Sequence, residues 1–201
     1  DDTILDMCAG PGGKTAVLAA EALQGGARVV AWEKLAHRAA LVTDSVRAIT
    51  AQNPRTVSVV TGDALELAAP QDAITRVLLD APCSGIGALR RRPESRWRKN
   101  PADIPELVTL QQALLGRALD LVAPGGVVAY VTCSPVLEET HGVISAVVDS
   151  RSDTERVNTP EVLSTIVREP LVGETSGMAV QLWTYRHGCD DMFIQLLRTK
   201  A

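Results

Sequence analysis

The chain has 201 residues, of which 46% are apolar, 22% charged and only 3% aromatic. This length fits one domain, whose core can bury enough apolar surface to fold without a disulfide or a structural metal. The apolar content excludes a disordered chain, and no uninterrupted apolar stretch approaches the roughly 18 residues of a membrane span.

The net charge of −4 excludes a uniformly basic nucleic-acid-binding protein. One segment reverses the sign, because residues 90–99 carry six basic groups and one acidic group. Such a segregated charge is more informative than the total and indicates a local contact with an anionic partner.

Short apolar runs alternate with helical patterns along most of the chain. The patterns predict strands over 3–7, 28–32, 57–60, 76–80 and 127–132, and helices over 15–23, 36–51 and 138–148. A further helix is predicted to run to Val122, with Asp103 as its cap and Pro105 in its first turn. Residues 149–177 are irregular apart from a short strand near 156–157, and strands over 180–185 and 192–197 flank a turn at 186–188.

Apolar strands that alternate with helices are typical of a doubly wound α/β fold with a mostly parallel sheet. The last two strands have no helix between them, which indicates an antiparallel addition at the C-terminal end. In such folds, ligands bind at the carboxyl ends of the strands.

A glycine-rich turn, Cys8-Ala-Gly-Pro-Gly-Gly-Lys-Thr15, separates the first strand from the first helix. Its glycines allow the backbone to approach a ligand closely, and the helix N-terminus favours an anionic group. Gly13-Lys14-Thr15 also matches the end of the phosphate loop of nucleotide hydrolases, with Asp80 as an imitation of the magnesium-binding acid. That loop needs a glycine where this chain has Cys8, so we set the ATPase interpretation aside.

Two acidic residues follow the next two strands. Glu33 can accept hydrogen bonds from a ribose diol, and Asp63 can hold an adenine amino group. Together with the glycine-rich turn they indicate a nucleoside pocket. NAD fits two of these three features, so the residues alone leave the cofactor open.

Cysteines stand in turns at the ends of two further strands, in Asp80-Ala-Pro-Cys-Ser-Gly85 and Thr132-Cys-Ser-Pro135. A lone cysteine is usually a small buried hydrophobe, but Cys83 and Cys133 together indicate thiol chemistry beside the nucleoside. Cys8 and Cys189 complete the set, and no CxxC pair suggests a metal. Without a signal-peptide pattern, we expect reduced thiols, no metal and a cytoplasmic location.

These three motifs resemble the signature motifs of the Sun/Fmu family of RNA cytosine-5 methyltransferases. The resemblance extends through residues 86–94 and Trp97 to the strand near Asp190–Phe193. It implies a single methyltransferase catalytic domain over 1–201, with the mostly parallel seven-stranded sheet of the Rossmann-like, S-adenosylmethionine-dependent type and a C-terminal antiparallel strand. Because the first strand begins at Thr3, we expect the family's N-terminal RNA-binding extension to be missing.

By resemblance, Cys133 is the nucleophile, Cys83 assists product release and Asp80 lies between cofactor and target base. The expected S-adenosylmethionine pocket comprises Cys8, Ala9, Gly10, Pro11, Gly12, Gly13, Lys14, Glu33, Arg38, Asp63, Ala64 and Asp80. The expected RNA contacts are Arg90, Arg91, Arg92, Arg96, Trp97, Arg98 and Lys99. The sequence departs from the family at Glu33, where Asp is commoner, and within Asp190-Asp191-Met192-Phe193, which has an Asp where a small residue is usual.

The chemistry of cytosine explains why a thiol is needed. Carbon 5 is too electron-poor to attack a methyl sulfonium until a thiolate adds at carbon 6, and cysteine suits this covalent step. The target base must leave its stack, which favours single-stranded RNA, with ribosomal RNA as the substrate that the resemblance implies. Two alternatives stay open: a DNA cytosine-5 enzyme that attacks through Cys83, and a fragment that binds cofactor without RNA turnover.

Overall fold

The computed structural model describes residues 2–67, 73–168 and 175–201, which form one mixed sheet with helices on both faces. The strands are β1 (Thr3–Asp6), β2 (Arg28–Glu33), β3 (Val57–Thr61), β4 (Ile74–Asp80), β5 (Val122–Thr132), β6 (Thr154–Arg156), β7 (Thr175–Ser176), β8 (Ala179–Leu182) and β9 (Met192–Thr199). The helices are α1 (Gly13–Gly25), α2 (Ala36–Gln52), α3 (Ile104–Leu121), α4 (His141–Val148), α5 (Thr159–Ser164) and α6 (Thr184–His187).

The strand order is β3-β2-β1-β4-β5-β9-β8-β7, and β6 pairs with the end of β9. β1 to β5 are mutually parallel, whereas β9 lies antiparallel to β5 and β8 antiparallel to β9. The doubly wound, mostly parallel sheet with a C-terminal antiparallel strand is therefore confirmed. Seven strands form its continuous body, and the short β6 and β7 bring the total in the described residues to nine.

Alternate residues of the strands face two separate helix layers. Ile4 and Val29 pack with the apolar face of α1 and α2, whereas Leu5, Val77 and Tyr130 pack with α3 and α4. Side chains of parallel strands alternate between the two faces, so a sheet covered on both sides needs nearly continuous apolar strands. This arrangement leaves the carboxyl ends of β1 to β5 along one edge, here called the carboxyl edge. The chain order reverses there between β1 and β4, where such folds bind ligands.

The prediction that a strand covers 180–185 is wrong in its second half. β8 ends at Leu182, and Thr184–His187 forms the helical turn α6. Two side chains stabilise this turn, one at the end of α6 and one just before β9. His187 Nδ1 accepts a hydrogen bond from the N–H of Trp183 at 2.9 Å, and Asp191 accepts one from Thr184.

Two helix starts also differ from the sequence prediction. α4 begins at His141 rather than Glu138, because the carbonyl of Glu139 accepts the hydroxyl of Tyr130 at 2.8 Å instead of continuing a helix. At α3, the capping side chain is Asn100 rather than Asp103. Asn100 caps a short turn, Pro101–Asp103, that leads into the helix.

Other boundaries shift where local backbone features intervene. β5 begins at Val122, earlier than predicted, and its pairing with β4 skips residues 123–126, where Gly125 has a φ of +79°. The stretch 149–177 contains β6 near the predicted short strand, and also α5, which the sequence pattern missed. Among the described residues, no helix is both long and apolar enough to cross a membrane.

Candidate active site

The carboxyl edge brings together the motifs that the sequence singled out. The glycine-rich turn follows β1, Glu33 ends β2, Asp63 follows β3 and Asp80 ends β4. Cys133 follows β5, the neighbour of β4 in the sheet. Residues that are up to 125 positions apart in the chain, from Cys8 to Cys133, are thus placed along one row of strand ends.

Glu33 holds the glycine-rich turn from below. Its side chain is buried, with one carboxylate oxygen accepting the N–H of Gly10 at 2.9 Å and the other accepting the N–H of Leu35 at 3.0 Å. The guanidinium of Arg38 donates to the carbonyl of Gly10. A Cβ at Gly10 would lie 2.4 Å from Glu33 Oε2, so this close approach requires glycine.

Asp63 has two partners in the structure. It caps the short turn Ala64–Glu66 by accepting the N–H of Leu65 at 3.0 Å, and it accepts Lys34 Nζ at 2.7 Å. The hydrogen bond from Lys34 lowers the pKa of the Asp63 carboxyl, so this side chain is a carboxylate at neutral pH. Ala64 is buried directly behind it.

Lys14 links the glycine-rich turn to β4, since its ammonium lies 2.6 Å from the carboxylate of Asp80. Cys8 lies in the same turn. Burial raises the pKa of its thiol to about 12, and the negative charges of Asp6, Glu33 and Asp80 act in the same direction. Cys8 is therefore a neutral thiol at physiological pH, which excludes it as a nucleophile.

The donor set along β1 to β4 fits a nucleoside cofactor. Glu33 and Asp63 each use two of the roughly four acceptor positions of a carboxylate, which leaves both able to accept hydroxyl or amino groups. The glycine-rich turn presents backbone without side-chain bulk beside Glu33. These features suit S-adenosylmethionine and do not by themselves separate it from other nucleosides. No group of His, Cys, Asp and Glu in the described part of the chain is arranged to hold a metal ion.

The two strand-end cysteines meet. Cys83 Sγ lies 3.4 Å from Cys133 Sγ, although the residues are 50 positions apart in the chain. The hydrogen bond from Cys83 stabilises a thiolate on Cys133 and lowers the pKa of Cys133 to about 7, and the ammonium of Lys14 contributes to this. The same contact and burial raise the pKa of Cys83. The arrangement therefore favours a thiolate on Cys133 and a thiol on Cys83.

Glu139 holds the two cysteine turns together, and the sequence analysis missed it. Its buried carboxylate accepts the N–H of Ser84 at 2.7 Å, the hydroxyl of Ser134 at 2.6 Å and the amide of Gln111 at 3.0 Å. Ser84 also donates its hydroxyl to the same carboxylate. Ser84 and Ser134 each follow one of the cysteines, so one side chain fixes both turns. The serine after each cysteine was the sequence signal for a shared hydrogen-bond acceptor, but nothing in the sequence identified Glu139 as that acceptor.

Gly87 ties the loop after Cys83 to the rest of the carboxyl edge. Its N–H donates to the carbonyl of Cys133 at 3.0 Å, and its carbonyl accepts the N–H of Asp191 at 2.9 Å. A Cβ at Gly87 would lie 2.3 Å from the carbonyl oxygen of Asp191. Backbone atoms surround this position, so the close approach again requires glycine.

The predicted RNA-binding segment divides into two parts. Arg91 donates to Asp190 at 2.7 Å from Nε, and Arg90 lies 4.0 Å from the same carboxylate. Asp190 is thus a buried partner that anchors the start of the segment. Trp97, by contrast, is 84% exposed, with the guanidinium of Arg96 5.7 Å from its ring centroid. Arg92, Arg98 and Lys99 are also exposed at this end of the segment.

Known proteins resemble this chain in sequence and in fold. A model described as 16S rRNA methyltransferase RsmB/F matches residues 1–198. The Mycobacterium tuberculosis protein Rv1407, provisionally named a methyltransferase, is 47% identical over 196 residues, which are 96% of this chain and 40% of that protein. Ribosomal RNA small subunit methyltransferase B of Erwinia tasmaniensis is 37% identical over 163 residues, 80% of this chain and 37% of that protein.

The solved structure of PH0851 superposes with a TM-score of 0.84 at 29% identity, covering 98% of this chain and 42% of that one. The chain spans about two fifths of the length of the curated relatives it matches.

Proposed function

The chain belongs to the 16S rRNA methyltransferase RsmB/F family, and from this we propose that it is a catalytic domain that methylates carbon 5 of a cytosine in RNA. The observation that carries the proposal is the contact between two thiols, Cys83 and Cys133, at 3.4 Å beside the Lys14–Asp80 pair. A thiolate that adds to a pyrimidine, a thiol that assists its release and a proton donor are the groups that this reaction needs.

The cofactor in this proposal is S-adenosylmethionine, which supplies an electrophilic methyl group when bound. Glu33 would accept the ribose hydroxyls and Asp63 the adenine amino group, each with acceptor positions that its present partners leave unused. The turn from Cys8 to Lys14 would line the methionine end, with Arg38 fixing its shape through Gly10. Asp80 would lie between cofactor and target base.

Attack begins at Cys133. Its thiolate adds to carbon 6 of the cytosine, and the electron pair of the 5,6 double bond moves to make carbon 5 nucleophilic. Because its pKa is lowered to about 7, Cys133 is substantially ionised at neutral pH. Cys83 donates to this sulfur before attack, which orients the thiolate and keeps a second thiol within reach of carbon 5.

Charge on the ring must be compensated as the thiolate adds. Asp80, hydrogen-bonded to the Lys14 ammonium at 2.6 Å, would pass a proton to ring nitrogen 3. This placement of a positive charge and a proton where charge develops is the usual source of electrostatic stabilisation in enzyme sites. Carbon 5 would then take the methyl group, and the electron pair of the broken methyl–sulfur bond would stay on the sulfur of the demethylated cofactor.

Product release needs a base. The proton on carbon 5 leaves to a water that the Cys83 thiol orients and passes from there to solvent, and its bonding pair re-forms the 5,6 double bond as the bond from carbon 6 to Cys133 breaks. The nitrogen 3 proton returns to the Lys14–Asp80 pair. The thiolate is thereby restored on Cys133 and the ring becomes 5-methylcytosine.

The RNA is proposed to enter with its target base unstacked. The cationic end of residues 90–99 would contact phosphates, and the exposed ring of Trp97 would stack on a base. Ribosomal RNA is the substrate class that the family description favours.

Transfer of tritium from labelled S-adenosylmethionine to ribosomal RNA, transfer RNA and DNA, measured in parallel, tests this proposal. We expect label in RNA, recovered as 5-methylcytosine after digestion, and none in DNA. Label in DNA alone would favour the DNA enzyme, and binding of NAD or ATP in place of S-adenosylmethionine would contradict the cofactor assignment.

A further inference from the structure

The turn that joins β8 to β9, residues 183–191, lies at the carboxyl edge beside the cysteines. β8 runs parallel to β5, so it ends at this edge, and β9 returns with Phe193 paired to Thr132, the residue before Cys133. We call residues 183–191 the C-terminal turn. None of the steps proposed above uses it.

The C-terminal turn presents an aromatic and cationic surface. Tyr185 is 76% exposed, and its ring centroid lies 6.2 Å from that of Trp183 at an interplanar angle of 37°. The guanidinium of Arg186 lies 5.8 Å from the Tyr185 ring. His187 and Asp191 fix the turn through hydrogen bonds to its backbone, so this surface is formed before a ligand arrives.

The exposure of these rings is unusual for this chain. It has only six aromatic residues, and Trp97 and Tyr185 alone are more than half exposed. Both lie at the carboxyl edge, Trp97 in the segment after Cys83 and Tyr185 in the turn beside Cys133. An exposed large ring next to a reaction centre indicates a contact surface more strongly than one isolated elsewhere.

Hydrogen bonds join the C-terminal turn to the basic segment. Asp191 donates its N–H to the carbonyl of Gly87 at 2.9 Å, and Asp190 accepts from Arg91 at 2.7 Å. The two exposed rings therefore belong to chain segments that are fixed directly to each other.

We propose that the C-terminal turn is a second wall of the RNA groove, where Tyr185 stacks on an unpaired base and Arg186 contacts a neighbouring phosphate. Single-stranded RNA is the partner that this chemistry fits, because bases stack on exposed rings while cations neutralise the backbone. The inference rests on the proposed function, since it takes RNA as the substrate of the adjacent cysteines.

Fluorescence anisotropy tests the inference. It measures the binding of a short, unstructured, fluorescein-labelled RNA that contains cytosine, at several salt concentrations. Tyr185→Ala should weaken binding at least about fivefold, because base stacking on an aromatic contributes about 1–3 kcal/mol. Tyr185→Phe keeps the ring and should bind within twofold of the unaltered chain. Arg186→Ala should weaken binding and reduce the salt slope by about 0.7.

Arg55→Ala is the matched control for the loss of one positive charge. Arg55 is exposed and precedes β3, so it lies at the opposite edge of the sheet, and its removal should leave affinity and salt slope unchanged. The inference is overturned if the unaltered chain binds no RNA, if Tyr185→Ala binds as tightly as Tyr185→Phe, or if Arg55→Ala and Arg186→Ala weaken binding equally.

Methyl transfer separates the two proposals. If Tyr185→Ala raises the KM for RNA with kcat unchanged, both stand. If Tyr185→Ala weakens binding but the unaltered chain transfers no methyl group to RNA, the surface is correct and the proposed reaction is wrong. If methyl transfer proceeds with Kd and KM unaffected by the substitution, the reaction stands and the inference fails.

Discussion

The two halves of the carboxyl edge are held together in different ways. At the ends of β1 to β3, Glu33 and Asp63 accept N–H groups from nearby turns, and the close approach of Gly10 completes the pocket. At the ends of β4 and β5, the two cysteine turns are joined by Glu139, which belongs to neither. The ends of β1 to β3, here called the nucleoside half, thus depend on backbone shape. The ends of β4 and β5, here called the thiol half, depend on the buried side chain of Glu139.

Removal of the Glu139 side chain should lower the free energy of unfolding more than any other substitution discussed below. Glu139→Ala leaves the N–H of Ser84 and one amide N–H of Gln111 without their acceptor, although Gln111 still donates to the carbonyl of Pro82. Each buried unpaired donor costs about 1–3 kcal/mol. We expect the free energy of unfolding to fall by about 4 kcal/mol in total. Urea unfolding measures this loss of stability. Glu138→Gln, at the exposed residue before Glu139, is the control and should leave the free energy of unfolding unchanged.

Glu139→Gln tests positioning if the alanine variant does not fold. Its amide must direct N–H groups at a donor, so the cysteine turns should separate while the fold persists. The pH profile of Cys133 alkylation should move up from about 7 toward that of an ordinary thiol, because the Cys83 contact lowers the pKa of Cys133. kcat should fall while the KM for S-adenosylmethionine stays constant. An unchanged alkylation profile would limit Glu139 to a structural role.

Asp6, at the end of β1, should make the free energy of unfolding depend on pH. Burial raises the pKa of Asp6 from 3.8 to about 6, assisted by the charges of Asp80 and Glu33 and opposed by the hydroxyl of Thr15. The folded chain therefore binds more protons than the unfolded chain between these values, so the contribution of Asp6 to stability falls as pH rises from about 4 to about 6. The pKa change corresponds to about 3 kcal/mol.

Urea unfolding of Asp6→Asn measures that contribution. The variant should gain stability relative to the unaltered chain as pH rises from 4 to 6, with no further change above 7. Asp44→Asn, at an exposed position on α2, is the control and should show no such trend. A stability difference between Asp6→Asn and the unaltered chain that is the same at pH 4 and pH 7 would contradict the assignment.

Gly10→Ala should give the smallest change in free energy, and it should weaken cofactor binding at the nucleoside half without affecting the thiol half. The new Cβ would lie 2.4 Å from Glu33 Oε2, which forces the turn away from its carboxylate. Calorimetry should show S-adenosylmethionine binding weakened about tenfold, or about 1.4 kcal/mol, with the Cys133 alkylation profile unchanged. Gly116→Ala, which meets no atom within 4 Å on α3, is the control. A shift in the alkylation profile would show that the halves are not independent.

The placement of side chains at the ends of β1 to β3 followed from the sequence more completely than the contacts between the two cysteine turns, for a physical reason. The glycine-rich turn and the acids after β2 and β3 are local signals, because strand ends and turn residues reveal their position. The sequence pattern indicated only a helical position for Glu139, because its partners Ser84 and Gln111 lie 55 and 28 positions away. The same holds for Asp190, whose partner Arg91 is 99 positions distant.

The contact between the two thiols is the central feature of this account, and trapping the protein–RNA adduct tests it most directly. Each cysteine variant is incubated with RNA and S-adenosylmethionine, then separated on a denaturing gel. Cys83→Ala should attack and methylate but release slowly, so a band of protein joined to RNA should accumulate. Cys133→Ala should give neither band nor product, because the attacking thiolate is gone. A shifted band from Cys133→Ala and none from Cys83→Ala would contradict the assignment and make Cys83 the nucleophile.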